Sequence, residues 1–438
     1  MASVAARSTR VRSSGEPLAR AATARAPIEH RLLLTATLCL LAGGAVMVYS
    51  ASSPSTLSGG SAGMGELIRF VLYGVLGLFL MRFASRTGLD LVRRVTGPLL
   101  GISFLLLIAV KLPGIGHSAG TVAQRWIGAG PLQFEPSELM KLALVLYSAL
   151  VLSEGRAGTR RRATAFKRLA LVGGAACLLV GSQPDIGTTL VIALALVAIV
   201  LAAGIRIRVL VITALVGVGA VILFAKAVPY AQSRLTSFLD PWAHATKGGY
   251  QSVQSQIAVG SGGIFGRGPG QSVQKDFYLP EAPTDFILAV IGEELGFAGI
   301  AGLLFLYGLI AYAGLRAARR AKDSYSVLVA VGVTSLIVLQ ASLNIFAVLG
   351  IAPVTGVPLP FVSYGASNLL VMLAAMGLLL NVAGGDTAAL RAVRSTRAKK
   401  TRRSEDVRSV TDRDRSRRDR RARGARAGGG RRAAGAGG

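Results

Sequence analysis

Ten stretches of this chain are long and apolar enough to read as membrane-spanning helices, and no other feature narrows the fold so far. They cover residues 31–50, 67–83, 96–112, 138–152, 169–182, 186–204, 209–228, 286–315, 327–350 and 367–383. A hydrocarbon core about 30 Å thick takes about 20 apolar residues as a helix, and only helices or closed barrels satisfy their backbone there. The stretches 138–152 and 169–182 are short, and each reads alternatively as a partly inserted helix, which would leave eight or nine spans. Only 16% of the residues are charged, against about 25% in soluble domains. The expected fold is an all-α polytopic membrane protein with about ten transmembrane helices.

The basic residues orient these spans, because short cytoplasmic loops collect Lys and Arg. Arg86, Arg93 and Arg94 follow the second span, residues 156–168 carry six basic residues after the fourth, and Arg206 and Arg208 follow the sixth. Arg316, Arg319, Arg320 and Lys322 follow the eighth. The alternate loops, 51–65, 113–137, 183–185 and 351–364, hold a single Arg between them, Arg125. Both termini are therefore expected in the cytoplasm, with residues 229–285 forming a large extracytoplasmic loop between helices 7 and 8.

Much of the net charge of +28 lies at the two ends. Residues 1–31 carry six Arg against two Glu, and residues 385–438 carry eighteen Lys and Arg against six acids. The expected organisation is a basic disordered arm over 1–30, a transmembrane domain over 31–384 and a basic disordered tail over 385–438. The tail composition cannot bury a core. It suits anionic lipid headgroups or a cytoplasmic docking partner; without interleaved aromatics it does not suit nucleic acid. The first apolar run starts only at Arg31, which does not read as a cleavable signal peptide. Cys39 and Cys177 sit in apolar runs as small hydrophobes, and the three histidines match no metal-ligand spacing.

The polar residues that invite chemistry lie on the expected outer face. Pro136, Ser137 and Glu138 begin the fourth span, with Ser137 the expected N-cap. Glu138 and Lys141 are then three apart on one helix face, either a stabilising pair or the wall of a polar cavity. The glycine-rich run from Gly260 to Ser272 lacks the Gly-Lys-Ser/Thr of a phosphate loop, which excludes nucleotide. It reads as compact turns or as backbone open to a diphosphate. Thr284 or Asp285 either caps the eighth span, or Asp285 is a general base in a cavity open to lipid and water. Glu293 and Glu294 fall about 12 Å further along that helix and need structural partners. Pro353, Pro358 and Pro360 forbid a regular helix in the last outer stretch, which must be buried in protein or line water. Gln340 and Asn344, four apart just before it, are placed to hydrogen-bond to it. Asp185, in the turn Gln183-Pro184-Asp185, reads as a helix cap.

Eight motifs occur in one order. They are Val48-Tyr49-Ser50-Ala51-Ser52, Arg125-Trp126-Ile127, Pro136-Ser137-Glu138-Leu139-Met140-Lys141, Gln183-Pro184-Asp185-Ile186-Gly187-Thr188, Ser237-Phe238-Leu239-Asp240-Pro241 and Gly262-Gly263-Ile264-Phe265-Gly266. Leu279-Pro280-Glu281 before Thr284-Asp285-Phe286 follows, then Pro358-Leu359-Pro360-Phe361-Val362-Ser363-Tyr364-Gly365. Over residues 31–383 the chain resembles the SEDS family of shape, elongation, division and sporulation proteins, and its Gly-Tyr-Gln run and Trp242 resemble the FtsW branch most.

The resemblance implies a peptidoglycan glycosyltransferase that polymerises lipid II at the outer face of the cytoplasmic membrane, at the division septum for an FtsW-like member. It implies a class B penicillin-binding protein and other divisome membrane proteins as partners. The family's essential aspartate falls on Asp285, and its cavity Glu and Lys fall on Glu138 and Lys141. Arg125 and Ser363 complete the expected substrate-binding set. Arg125, Lys141 or a divalent cation, Mg²⁺ or Mn²⁺, would neutralise the diphosphate, and no residue spacing marks a metal site. Two departures stand out: Pro283 where the family usually has His, and Gly365-Ala366-Ser367-Asn368 where it has Gly-Gly-Ser-Ser. Rival readings are a RodA-like elongation polymerase, a lipid II flippase and a non-catalytic division scaffold.

Overall fold

A computed structural model describes residues 27–53, 62–114, 116–117, 124–129, 132–155, 159–205, 208, 219, 236–246, 248–276 and 278–385. Nine of the ten apolar stretches lie in helices: α1 (Ile28–Ser52), α2 (Ala62–Ala84), α3 (Leu89–Ala109), α4 (Pro136–Glu154), α5 (Thr159–Gly181) and α6 (Ile186–Ala202), then α8 (Ile287–Arg320), α9 (Ser324–Val348) and α10 (Ala366–Gly385). Eight of these are long and apolar enough to cross a membrane, and α6 is shorter at 17 residues. The stretch 209–228 falls outside the described residues, as do nearly all of the two basic ends. α7 (Tyr250–Ser261) is an additional helix within the long loop before α8.

The two short stretches are full-length helices. α4 has 19 residues and α5 has 23, about 28 and 34 Å at 1.5 Å per residue. Apolar runs understate them because polar residues belong to their ends: Ser137, Ser153 and Glu154 in α4, and Arg160, Arg161, Arg162, Lys167 and Arg168 in α5.

The bundle has a centre and a rim. α4, α9 and α10 are mostly buried, whereas α2, α3 and α5 turn most of their surface outward. That outward surface includes Phe79, Phe83, Leu105, Leu171 and Leu178, the side chains a lipid-facing helix should show. α9 packs against α4, α6 and α8, and α8 also packs against α1. One departure from an all-helical reading is a small antiparallel sheet, β1 (Gly116–His117), β2 (Trp126–Ala129) and β3 (Leu132–Phe134). His117 pairs with Trp126, and Ile127 with Phe134. The Arg125-Trp126-Ile127 motif thus enters a strand leading to α4.

Two irregularities interrupt the helical pattern. α8 is broken at Gly296, whose φ of 68° and ψ of −162° are not helical. A Cβ there would sit 2.4 Å from the Gly266 nitrogen, so only glycine allows the loop to lie against the break. The second irregularity is the Pro-rich stretch 351–365, which is non-helical and buried at Val357, Leu359, Phe361 and Val362. It re-enters the bundle: the Tyr307 hydroxyl of α8 donates to the Pro360 carbonyl at 2.6 Å. Gly44 of α1 leaves no room for a Cβ beside Val362, nor Gly187 of α6 beside Thr355.

Candidate active site

α4 starts differently from the sequence expectation. Glu135 is the N-cap residue and Pro136 takes the first helical position, where its missing N–H costs nothing. Ser137 lies inside the helix and its hydroxyl donates to Glu135 Oε1 at 2.8 Å. The backbone N–H of Glu135 donates to Ser367 Oγ of α10 at 2.9 Å. Burial, reinforced by the neighbouring carboxylates of Asp185 and Glu138, pushes the Glu135 carboxyl up to about 8.

One turn on, Glu138 and Lys141 form the expected pair. Lys141 Nζ donates to Glu138 Oε1 at 2.8 Å and to Gln340 Oε1 at 2.7 Å. Glu138 Oε2 accepts from Asn368 Nδ2 at 2.9 Å. All four residues are buried, so the charges are matched and hydrogen-bonded, as ionisable groups within a bundle must be. Asn368, which departs from the family pattern, is thereby a direct partner of Glu138.

The two amides of α9 join this pair to Asp285. Gln340 Nε2 donates to the Pro358 carbonyl at 2.9 Å. Asn344 Nδ2 donates to the Val357 carbonyl at 2.8 Å and to the Asp285 carbonyl at 2.7 Å. The Tyr364 N–H donates to the Pro283 carbonyl at 3.0 Å. The re-entrant loop is thus clamped between the Glu138–Lys141 pair and the segment carrying Asp285. Phe286 is the N-cap residue of α8, so Asp285 stands one position outside the cap.

The helix lengths, the re-entrant loop and the buried Glu–Lys pair all agree with what the eight motifs imply, and the comparison with known proteins decides it. A family model described as cell cycle protein, covering FtsW, RodA and SpoVE, matches residues 30–387. The chain belongs to this family, the SEDS proteins. Stage V sporulation protein E of Bacillus subtilis is 40% identical over 356 residues, covering 80% of this chain and 96% of that one. A probable peptidoglycan glycosyltransferase FtsW of Coxiella burnetii is 39% identical over 354 residues, covering 80% and 95%. RodA of Thermus thermophilus, a solved structure, has a TM-score of 0.59 at 30% identity, covering 80% and 95%. A structure titled as a peptidoglycan synthase complex coordinating polymerization and crosslinking has a TM-score of 0.64 at 29% identity, covering 80% and 96%. This SEDS protein is therefore a multi-pass membrane protein.

In this SEDS protein the other expected site residues have local tasks. Arg125 Nε donates to the Gln183 carbonyl at 3.0 Å, its Nη2 donates to the Pro184 carbonyl, and its Nη1 lies 3.9 Å from Asp185 Oδ1. Asp185 caps α6 by accepting from the Thr188 N–H at 3.0 Å. Ser363 Oγ accepts from the Leu359 N–H at 2.8 Å, closing the turn of the re-entrant loop. Among the described residues no three His, Cys, Asp or Glu side chains group as metal ligands. No all-protein site for Mg²⁺ or Mn²⁺ is formed among the described residues, although such an ion is usually bound through one or two carboxylates and substrate phosphates.

Glu293 and Glu294 have the structural partners they required. Glu293 accepts from Ser272 Oγ at 2.6 Å and lies 3.3 Å from Arg267 Nη1. Glu294 accepts from Lys275 Nζ at 3.0 Å and from Ser50 Oγ at 2.7 Å. Ser50 belongs to the first motif, so that motif ties α1 to α8 and to the loop before it. Lys275 carried no sequence signal, being one lysine among glycines and polar residues.

Proposed function

We propose that this chain is an FtsW-like peptidoglycan glycosyltransferase that polymerises lipid II at the outer face of the cytoplasmic membrane during division. The observation that carries the reading is the Asn344 bridge. It fixes the backbone of Asp285 to the re-entrant loop, and Gln340 fixes the same loop to the buried Glu138–Lys141 pair. The names of the relatives support the activity, and the synthase-complex neighbour supports a class B penicillin-binding protein as partner. Other divisome membrane proteins, a septal location and anionic lipids held by the basic tail belong to the same proposal.

The chemistry is one inverting transfer. The Asp285 carboxylate takes the proton from an acceptor sugar hydroxyl. The freed oxygen attacks the anomeric carbon of the donor sugar, and the bond from that carbon to the diphosphate breaks. The lipid diphosphate leaves with the electron pair. A diphosphate is already a good leaving group, so the second carboxylic acid of a glycoside hydrolase is not required. Glu138 and Lys141 anchor the re-entrant loop through Gln340 without adding net charge. Glu138, Lys141 and Asp285 are joined through one re-entrant loop at one end of the bundle, which favours chemistry there over a transport path through the full thickness.

The test is labelled lipid II given to the purified chain, alone and with its cognate transpeptidase, with polymer length scored on gels. Asp285→Asn and Asp285→Ala should both lower polymerisation by about 10²-fold or more while the protein still inserts and still binds its partner. Polymerisation at the wild-type rate by Asp285→Asn would remove the general base.

A further inference from the structure

Gln340 and Asn344 are carboxamides one turn apart on α9, and both reach the same re-entrant loop. Their hydrogen bonding differs in one respect. Gln340 uses both ends, its oxygen accepting from Lys141 and its nitrogen donating to Pro358. Asn344 spends its nitrogen on two carbonyls, those of Asp285 and Val357. Those carbonyls can only accept, so they fix which end of the amide is nitrogen. The Oδ1 atom is therefore an acceptor, and it is buried without a hydrogen-bond partner among the described residues. The residue itself is 2% exposed.

Thr355 repeats the pattern two residues before Val357. It is 5% exposed, and its Oγ1 is likewise buried without a partner among the described residues. Gly187 of α6 packs against both Thr355 and Val357, and Asn344 holds the Val357 carbonyl, so the two orphan atoms belong to one short stretch of the re-entrant loop and its clamp, next to the segment that carries Asp285. Buried polar atoms in folded proteins nearly always have partners, and an orphan beside a reaction centre points to a ligand group.

We infer that Asn344 Oδ1, with Thr355 Oγ1 beside it, reads an N–H or O–H donor on the amino sugar that binds against Asp285. The inference rests on the glycosyltransferase reading and makes Asn344 a specificity-determining residue. Its amide nitrogen places Asp285 while its oxygen senses whether the sugar carries the right donor. A site built to hydrogen-bond a substrate group discriminates strongly against an analogue lacking it, because the protein atom is then left unpaired.

The test is an enzyme–substrate double cycle on the full chain with its transpeptidase partner. Lipid II is compared with analogues that each lack one donor, an O-acetyl sugar in place of N-acetyl and a set of deoxyfluoro sugars. For one analogue the wild-type protein should lose about tenfold or more in kcat/KM. Asn344→Leu should lose at least as much on native lipid II and show no further loss on that analogue. If Asn344→Leu does not fold, Thr355→Val, which removes only the hydroxyl, carries the same cycle. Penalties that multiply for every analogue, or a wild-type protein that uses every analogue as it uses lipid II, would overturn the assignment alone. No polymer from native lipid II would overturn the polymerase reading with it.

Discussion

Lys141 Nζ lies 2.8 Å from Glu138 Oε1, one turn away on the same helix, and neither side chain is more than 2% exposed. Removing one partner of such a pair strands a charge. Lys141→Met and Glu138→Gln should each cost about 3–5 kcal/mol, read as a lowered Tm in detergent. The double variant should recover much of that stability, because the stranded charge is gone, but not polymerisation. A double variant no more stable than the singles would show that the two residues are not coupled.

Gly43 and Gly44 are neighbours on α1 with opposite surroundings. A Cβ at Gly43 meets nothing within 4 Å, whereas one at Gly44 would lie 2.8 Å from Val362 Cα and 2.9 Å from the Phe361 carbonyl. Gly43→Ala should be neutral or stabilising by up to about 1 kcal/mol, as in any helix. Gly44→Ala should destabilise by about 1–3 kcal/mol and lower kcat, because the displaced loop is the one clamped to Asp285. Equal melting temperatures for the two variants would refute the close approach of loop and helix.

Glu135 binds a proton more tightly when the chain is folded, its carboxyl rising from 4.5 to about 8. The stability that goes with this proton is fully present below about pH 4.5 and is lost as pH rises through about 8. The wild-type Tm should therefore fall across that window, and Glu135→Gln should flatten the decline. The check is a set of melts at constant ionic strength. An unchanged slope in Glu135→Gln would place the titration elsewhere.

The alternation of basic and uncharged loops expects both ends and the loop at Arg160 in the cytoplasm, with Gly262 outside. Reporter fusions at these four places check it, and a C-terminus outside would break the ten-span order. Truncation near Asp386 should leave polymerisation by the purified protein within about twofold, since the tail composition suits a tether rather than a folded domain.

The helices were legible because hydropathy over a membrane thickness is a strong local signal. The Glu138–Lys141 pair and the Gln340/Asn344 contact with the re-entrant loop were legible from spacings of three and four. The rest depended on tertiary neighbours. Ser137 is a good N-cap type, yet Pro136 at the first helical position moves the cap to Glu135. Arg125 looks like a free cation until the 183–185 turn offers it two carbonyls. Asn368 stands out in sequence only as a departure, and its partner Glu138 is 230 residues away. The three short strands give no usable period, so the stretch before α4 reads as plain loop.

The re-entrant loop also sets an order of assembly. Its partners, Gly44, Gly187, Tyr307, Gln340 and Asn344, all leave the ribosome before it does, and only α10 follows among the described helices. A nascent chain stalled after α9 therefore holds every helix that receives the loop, but lacks the loop that ties Asp285 to the Glu138–Lys141 pair. Completion of this network is one of the last events of synthesis, since Asn368 of α10, the partner of Glu138, also follows the loop.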